Sequence, residues 1–192
     1  MSLPDYMISA RMQRPLGIAI LSVLHFIGGV GLVVLTVAFP IIASRKPEVA
    51  EGMAAIGLPL PLLVAGMLFI AVLAIGSAVG MWKGAKWGWY LGSFYYVYSI
   101  VRNLSAIVSV YLLFDQMPVE EVAAMQRGPE YHFWKFGLRT VVHALIFLYF
   151  FKENVLEYFG LRDVNRLKVV LIEFGICIGT AVAVSLWNLS TP

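Results

Sequence analysis

Apolar and polar positions alternate on a coarse scale along this chain, giving five long apolar runs at about residues 16–43, 60–82, 87–114, 131–151 and 169–187. Each is close to or above the roughly 20 residues that an α-helix needs to cross a bilayer core. The first run far exceeds the roughly 7 to 15 residues of a cleavable signal-peptide core, so it is expected to be a retained helix, with Pro15 in its first turn. The pattern therefore predicts an all-α fold: a polytopic transmembrane helical bundle of five spans, a four-helix unit plus one C-terminal helix, forming a single membrane domain over residues 1–192.

The segments between the runs carry the breakers and the charge. Ser44 to Pro61 holds Pro47, Pro59 and Pro61 with charges of both signs, which predicts an exposed loop. Lys83 to Lys86 must turn, because a continuous helix through it would hold about 55 residues and two membrane thicknesses. Between Pro118 and Gly128, an acidic amphipathic stretch predicts a short surface helix at about 118–127. Lys152 to Lys168 is too densely charged to lie in hydrocarbon.

Two runs are not uniformly apolar. In the fourth, His132, Lys135, Arg139 and His143 fall within roughly 80° of one another at about 100° per residue. In the third, Tyr95, Ser99, Arg102, Ala106 and Ser109 share a face, with Asn103 at its border. Ionisable groups in a membrane are costly, so such stripes face protein or water and mark a site or a partner contact. At about 1.5 Å per residue, Arg102 lies roughly 22 Å from Trp87 and Arg139 roughly 18 Å from Phe151. Their similar depth on consecutive antiparallel helices predicts that they converge. The acid within a span, Glu173, lies only roughly 8 Å up its helix, too low to serve both.

Two readings of the arginines stay open. In one they bind an anionic group: a lipid phosphate, a carboxylated or quinone-like head group, or an acid of another subunit, with Asn103, Tyr95, Ser99, His143 and Glu173 as further candidate contacts. In the other, Arg139 snorkels outward with Lys135, and Arg102 donates to backbone carbonyls, Asn103 and serines. His25 and His143, roughly 15 Å and 12 Å into their helices, are a candidate axial pair for a b-type haem or, alternatively, packing residues. No other cofactor is suggested. Small residues at mid-span, Gly28, Gly29, Gly31, Gly76, Gly80, Gly175 and Gly179, are candidate helix-packing positions.

Composition narrows the function classes. Of 192 residues, 60% are hydrophobic and 13% charged, against about 25% charged in soluble domains. Mean hydropathy is +0.84. The net charge of +3 is too small, and its cations too dispersed, to suggest nucleic-acid binding. The single cysteine, Cys177, excludes an internal disulfide and a multi-cysteine metal centre. No GxSxG, GxxxxGK[ST], HExxH or strand-linked GxGxxG occurs, so no catalytic residue is nominated. Asp115, Glu120, Glu121 and Glu130 read as a solvated acidic loop without compact metal-ligand spacing.

Lys and Arg set the expected orientation. Arg11, Arg14, Lys83, Lys86, Lys152, Arg162, Arg166 and Lys168 fall on one side; Arg45, Lys46 and Arg127 fall on the other. That bias predicts a cytoplasmic N-terminus and an external C-terminus, in a bacterial inner membrane. Trp82, Trp87, Trp89, Trp134 and Trp187 stand at the proposed interfaces as an aromatic belt.

At RPLGIAILSVLHFIGGVGLV, GMWKGAKWGWYLG and FFKENVLEYFG, the chain resembles a loose group of small multi-spanning bacterial and archaeal integral membrane proteins of unknown function. The shared features are an Arg-Pro-x-Gly helix start, a Trp-Lys-Gly-x-x-Trp turn and a Tyr-Phe-Gly exit. The resemblance covers about residues 14 to 160 and implies a four-helix unit, with no activity to carry over. The fifth run departs from that pattern and suggests a partner-facing addition. The expected function is a non-enzymatic accessory or scaffolding subunit of a larger membrane complex, an energy-transducing one being a candidate. The alternative is a binder or transporter of an anionic amphiphile or lipid, and the third reading is a haem or quinone protein. Expected partners are membrane lipids and other membrane subunits or further copies of the chain.

Overall fold

The computed structural model describes residues 13–48, 60–116 and 128–190. Among them every regular element is a helix: α1 (Leu16–Arg45), α2 (Leu60–Lys83), α3 (Lys86–Gln116), α4 (Pro129–Phe150), α5 (Glu153–Tyr158) and α6 (Arg166–Ser190). Helices occupy all five apolar runs, with ends within three residues of those expected. The surface helix expected at 118–127 lies outside the described residues.

Four helical stretches are long and apolar enough to cross a membrane: Leu16–Arg45, Leu60–Lys83, Glu130–Phe150 and Arg166–Val184. They are compatible with an integral membrane protein. The helix α3, expected as the third span, has 31 residues but is less apolar, because Tyr, Ser, Arg102 and Asn103 interrupt it.

Local chemistry accounts for the helix ends. Pro15 stands just before α1, where its missing N–H costs nothing, and its carbonyl accepts from Ala19 N at 3.1 Å. Pro40 inside α1 leaves the Thr36 carbonyl without its usual helical donor. Helix α2 stops at Gly84, whose φ of +65° is readily reached only without a Cβ. Gly84 N donates to Met81 O at 3.2 Å and Ala85 N to Gly80 O at 3.0 Å, the paired bonds of a Schellman cap. Helix α5 ends in the same way at Gly160, also at φ +65°. There Gly160 N donates to Glu157 O and Leu161 N to Leu156 O.

The chain groups into two compact units, Met1–Tyr95 with Lys152–Val164, and Tyr96–Phe151 with Asn165–Pro192. This grouping differs from a four-plus-one division, and the boundary falls within α3.

In the first unit α1 packs on α2. A Cβ on Gly29 would lie 2.6 Å from Ile75 Cγ1 and 3.3 Å from the Ala71 carbonyl oxygen, so α1 rests directly on the α2 backbone there. At the α2–α3 turn, a Cβ on either Gly80 or Gly88 would overlap the other's backbone. Close helix approach of this kind needs small residues. The core is Ile18, Ala74, Ala78, Met81 and Trp89 together with Val155, Leu156 and Phe159 of the α5 segment. Trp89 corrects one expectation: it is fully buried rather than a belt residue, whereas Trp82, Trp87 and Trp134 are exposed.

In the second unit, aromatic contacts tie the helices. Tyr96 of α3 lies 5.7 Å from the Phe150 ring of α4, and Phe147 of α4 lies 6.0 Å, edge-on, from Phe174 of α6. Cys177 is a buried free thiol.

Candidate functional site

The polar residues of α3 and α4 meet in the second unit. Asn103 is 1% exposed and its amide nitrogen stands 3.3 Å from His143 Nδ1. The Tyr96 ring lies 5.8 Å from the same imidazole, tilted at 55°. Asn103 Oδ1 is buried without a hydrogen-bond partner among the described residues. An amide oxygen accepts, so as placed this atom calls for a donor, whereas turning the amide over would leave its nitrogen there to donate. An unmet buried amide atom costs about 1–3 kcal/mol.

Arg102 adjoins Asn103 in α3, and Arg139 stands one turn before His143 in α4; both are exposed. Neither arginine makes a hydrogen bond or an ion pair among the described residues. The expected donation from Arg102 to carbonyls, Asn103 and serines is thus not formed among the described residues. The arrangement is two exposed cations, without a carboxylate partner among the described residues, beside a buried amide and a half-buried imidazole; the guanidinium groups are donors suited to an anion with several acceptor oxygens.

The other candidates separate from this cluster. Tyr95 belongs to the first unit, where its ring lies 4.5 Å from that of His25. His25 is 6% exposed and its Nδ1 stands 2.6 Å from the hydroxyl of Ser77, which in turn donates to the Ala74 carbonyl at 2.9 Å. Ser99 is buried on α3, and Glu173 is buried on α6, one turn from Cys177. His132 and Lys135 are engaged locally: His132 meets the Tyr131 and Phe136 rings, and Lys135 Nζ lies within 6 Å of the same two rings. Among the glycines, Gly29, Gly76 and Gly80 lie against neighbouring helices, while a Cβ on Gly28, Gly31, Gly175 or Gly179 would meet nothing within 4 Å. No group of three or more His, Cys, Asp and Glu side chains suited to a metal ion occurs among the described residues.

No family profile matches the chain, and neither a curated protein nor a solved structure is found to be similar to it. Function therefore has to be argued from the chain's own geometry.

A second cluster went unforeseen, because its members are far apart in sequence. Arg14 Nε donates to the Tyr158 hydroxyl at 3.1 Å, and Arg14 Nη2 donates to the Trp82 carbonyl at 2.8 Å. The Tyr158 hydroxyl lies 3.1 Å from the Met81 carbonyl and 3.2 Å from that of Trp82, and the ring packs on Gly84. The Arg14 guanidinium also stacks 3.9 Å over the Trp82 ring. The Arg-Pro start, the Trp-Lys-Gly turn and the Tyr-Phe-Gly exit thus form one latch that satisfies carbonyls left over at the end of α2. The available signal was the residue types: an arginine and a tyrosine, each fixed beside a helix end by proline or glycine. Ser77 as the partner of His25 was likewise unforeseen.

Proposed function

We propose that the chain is a non-enzymatic integral membrane protein of five spans, acting as an accessory or scaffolding subunit whose Arg102 and Arg139 receive an acidic group of a neighbouring membrane subunit. One observation carries this reading: the two helices that meet at the Asn103–His143 contact each carry an exposed arginine beside it, and neither arginine has a carboxylate partner among the described residues. Two uncompensated guanidinium groups on helices of a membrane protein are costly, and a charge-assisted, bidentate partner removes that cost. The helix α3 serves as the third span in this reading, its polar stripe turned to the partner rather than to lipid. His143 and Asn103 orient the site, and His25 is a packing residue held by Ser77.

A second reading takes the Asn103 amide turned over, so that its oxygen faces His143 and its nitrogen is left to donate beside the arginines; the acceptor is then the head group of an anionic amphiphile. Co-purification in mild detergent separates the two. With Arg102→Gln and Arg139→Gln combined, the subunit reading expects loss of a co-purifying protein with unchanged yield of this chain. Loss of bound lipid alone supports the second reading, and no change in either removes both.

A further inference from the structure

We infer that the groove between α1 and α2 of the first unit is a binding site for one acyl chain of an anionic phospholipid, whose phosphate lies at Lys83 and Arg14. This rests on the chain's being a membrane protein and is independent of the arginine pair on α3 and α4.

The groove has a volume of about 280 Å³ and an almost wholly apolar lining. Its floor is made by two small buried residues, Ser22 and Ala78, and its walls by the half-exposed Val23, Phe26, Val79 and Trp82. Small residues facing each other on packed helices, flanked by larger ones, leave a furrow rather than a flat seam. The Ser22 hydroxyl is turned back onto the Ile18 carbonyl at 2.7 Å, so it presents no unmet polar group to the furrow. Such a surface suits a hydrocarbon chain.

Extent and charge specify which hydrocarbon. The lining runs from Ser22 to Phe26 on α1 and from Ala78 to Lys83 on α2, about 6 Å and 8 Å of helix rise, with Lys83, in the last turn of α2, at one end. The groove therefore takes the part of one acyl chain nearest its head group, within one leaflet of a hydrocarbon core of about 30 Å. The charged end carries two cations. Lys83 has no ion pair among the described residues. Arg14, stacked on the Trp82 wall, uses Nε and Nη2 for Tyr158 and the Trp82 carbonyl. Of the five guanidinium N–H groups, about three remain available, in a geometry suited to phosphate oxygens. An apolar groove and a doubly cationic mouth together match a phospholipid of net negative charge better than a zwitterionic one.

The test is native mass spectrometry of the full chain in detergent, titrated with dioleoyl phosphatidylglycerol or dioleoyl phosphatidylcholine. One phosphatidylglycerol is expected to stay bound at activation energies that strip phosphatidylcholine. Lys83→Gln should weaken phosphatidylglycerol binding about fivefold and leave phosphatidylcholine unchanged, in line with the attraction of one lysine to an anionic lipid surface. Val79→Trp, which fills the groove from its exposed wall, should abolish retention of the tightly held lipid. Equal, multiple binding of both lipids that ignores both substitutions would mean annular contact only and overturn the inference. So would a co-purifying protein released by Val79→Trp while lipid retention stays the same. Should Val79→Trp fail to fold, the Lys83→Gln comparison decides alone. Neither substitution touches Arg102 or Arg139, so failure here leaves the subunit reading standing.

Discussion

Single residues differ sharply in what they can tolerate, and glycine makes the differences testable. Gly80 and Gly88 meet backbone to backbone, so Gly88→Ala should destabilise the protein by about 1–3 kcal/mol in a reversible unfolding assay in detergent. Gly28→Ala and Gly175→Ala meet open space within the chain and remove a flexible helical glycine; they should be neutral or stabilising by up to about 1 kcal/mol. If all three behave alike, the close approach at the α2–α3 turn is not what holds it. A separate residue-scale expectation concerns Ser77→Ala, which takes away the hydroxyl at His25 Nδ1 and should cost about 1 kcal/mol through loss of that buried hydrogen bond. Its effect on stability should exceed that of Thr180→Ala, whose hydroxyl only bonds back to its own helix on an exposed face. Pattern alone selected Gly29, Gly76 and Gly80 along with four glycines that meet nothing. Spacing marks a small residue on a helix, but it does not say which side of the helix the neighbour occupies.

At the scale of elements, the helices were legible because length, apolarity and Pro or Gly punctuation act locally. Pro15, Gly84 and Pro129 each fix a boundary through their own backbone preferences, and those boundaries are observed within a few residues. Contacts made across the sequence were not legible. Arg14 and Tyr158 are 144 positions apart, yet they share the carbonyls at the end of α2. Trp89 looks like a belt residue in a Trp-Gly-Trp-Tyr cluster and is instead core, since the close Gly80–Gly88 approach draws the start of α3 inward. The latch makes a quantitative prediction. Arg14→Gln and Tyr158→Phe should each lower stability by about 1 kcal/mol, and the double variant should depart from additivity by at least about 0.5 kcal/mol, because both act on the same carbonyls. Strict additivity in a double-mutant cycle would show that the two residues are merely near each other.

For the whole molecule, the number of crossings and their direction decide how the sites are presented. The bias of Lys and Arg predicts a cytoplasmic N-terminus and, with α3 as a full span, an external C-terminus. Single-cysteine variants within residues 49–59 and in the α5 segment, made in a Cys177→Ser background, should react with a membrane-impermeant maleimide from outside and only after lysis, respectively. Labelling of both from the same side would remove α3 as a crossing. The expectation that Arg102 and Arg139 converge rests on depth alone, because two helices joined in sequence and antiparallel compare their residues by rise; the structure adds that their neighbours Asn103 and His143 meet. The burial of Asn103 against His143 depends on its rotation about α3, which the stripe placed only at its border. The central claim is that this pair of arginines is neutralised by another membrane subunit. Native mass spectrometry of the wild-type protein, extracted from its own membrane without added lipid, tests it most directly. The account predicts an assembly containing at least one other membrane polypeptide, lost when Arg102 and Arg139 are both changed to Gln. A homogeneous monomer with no retained polypeptide would contradict it.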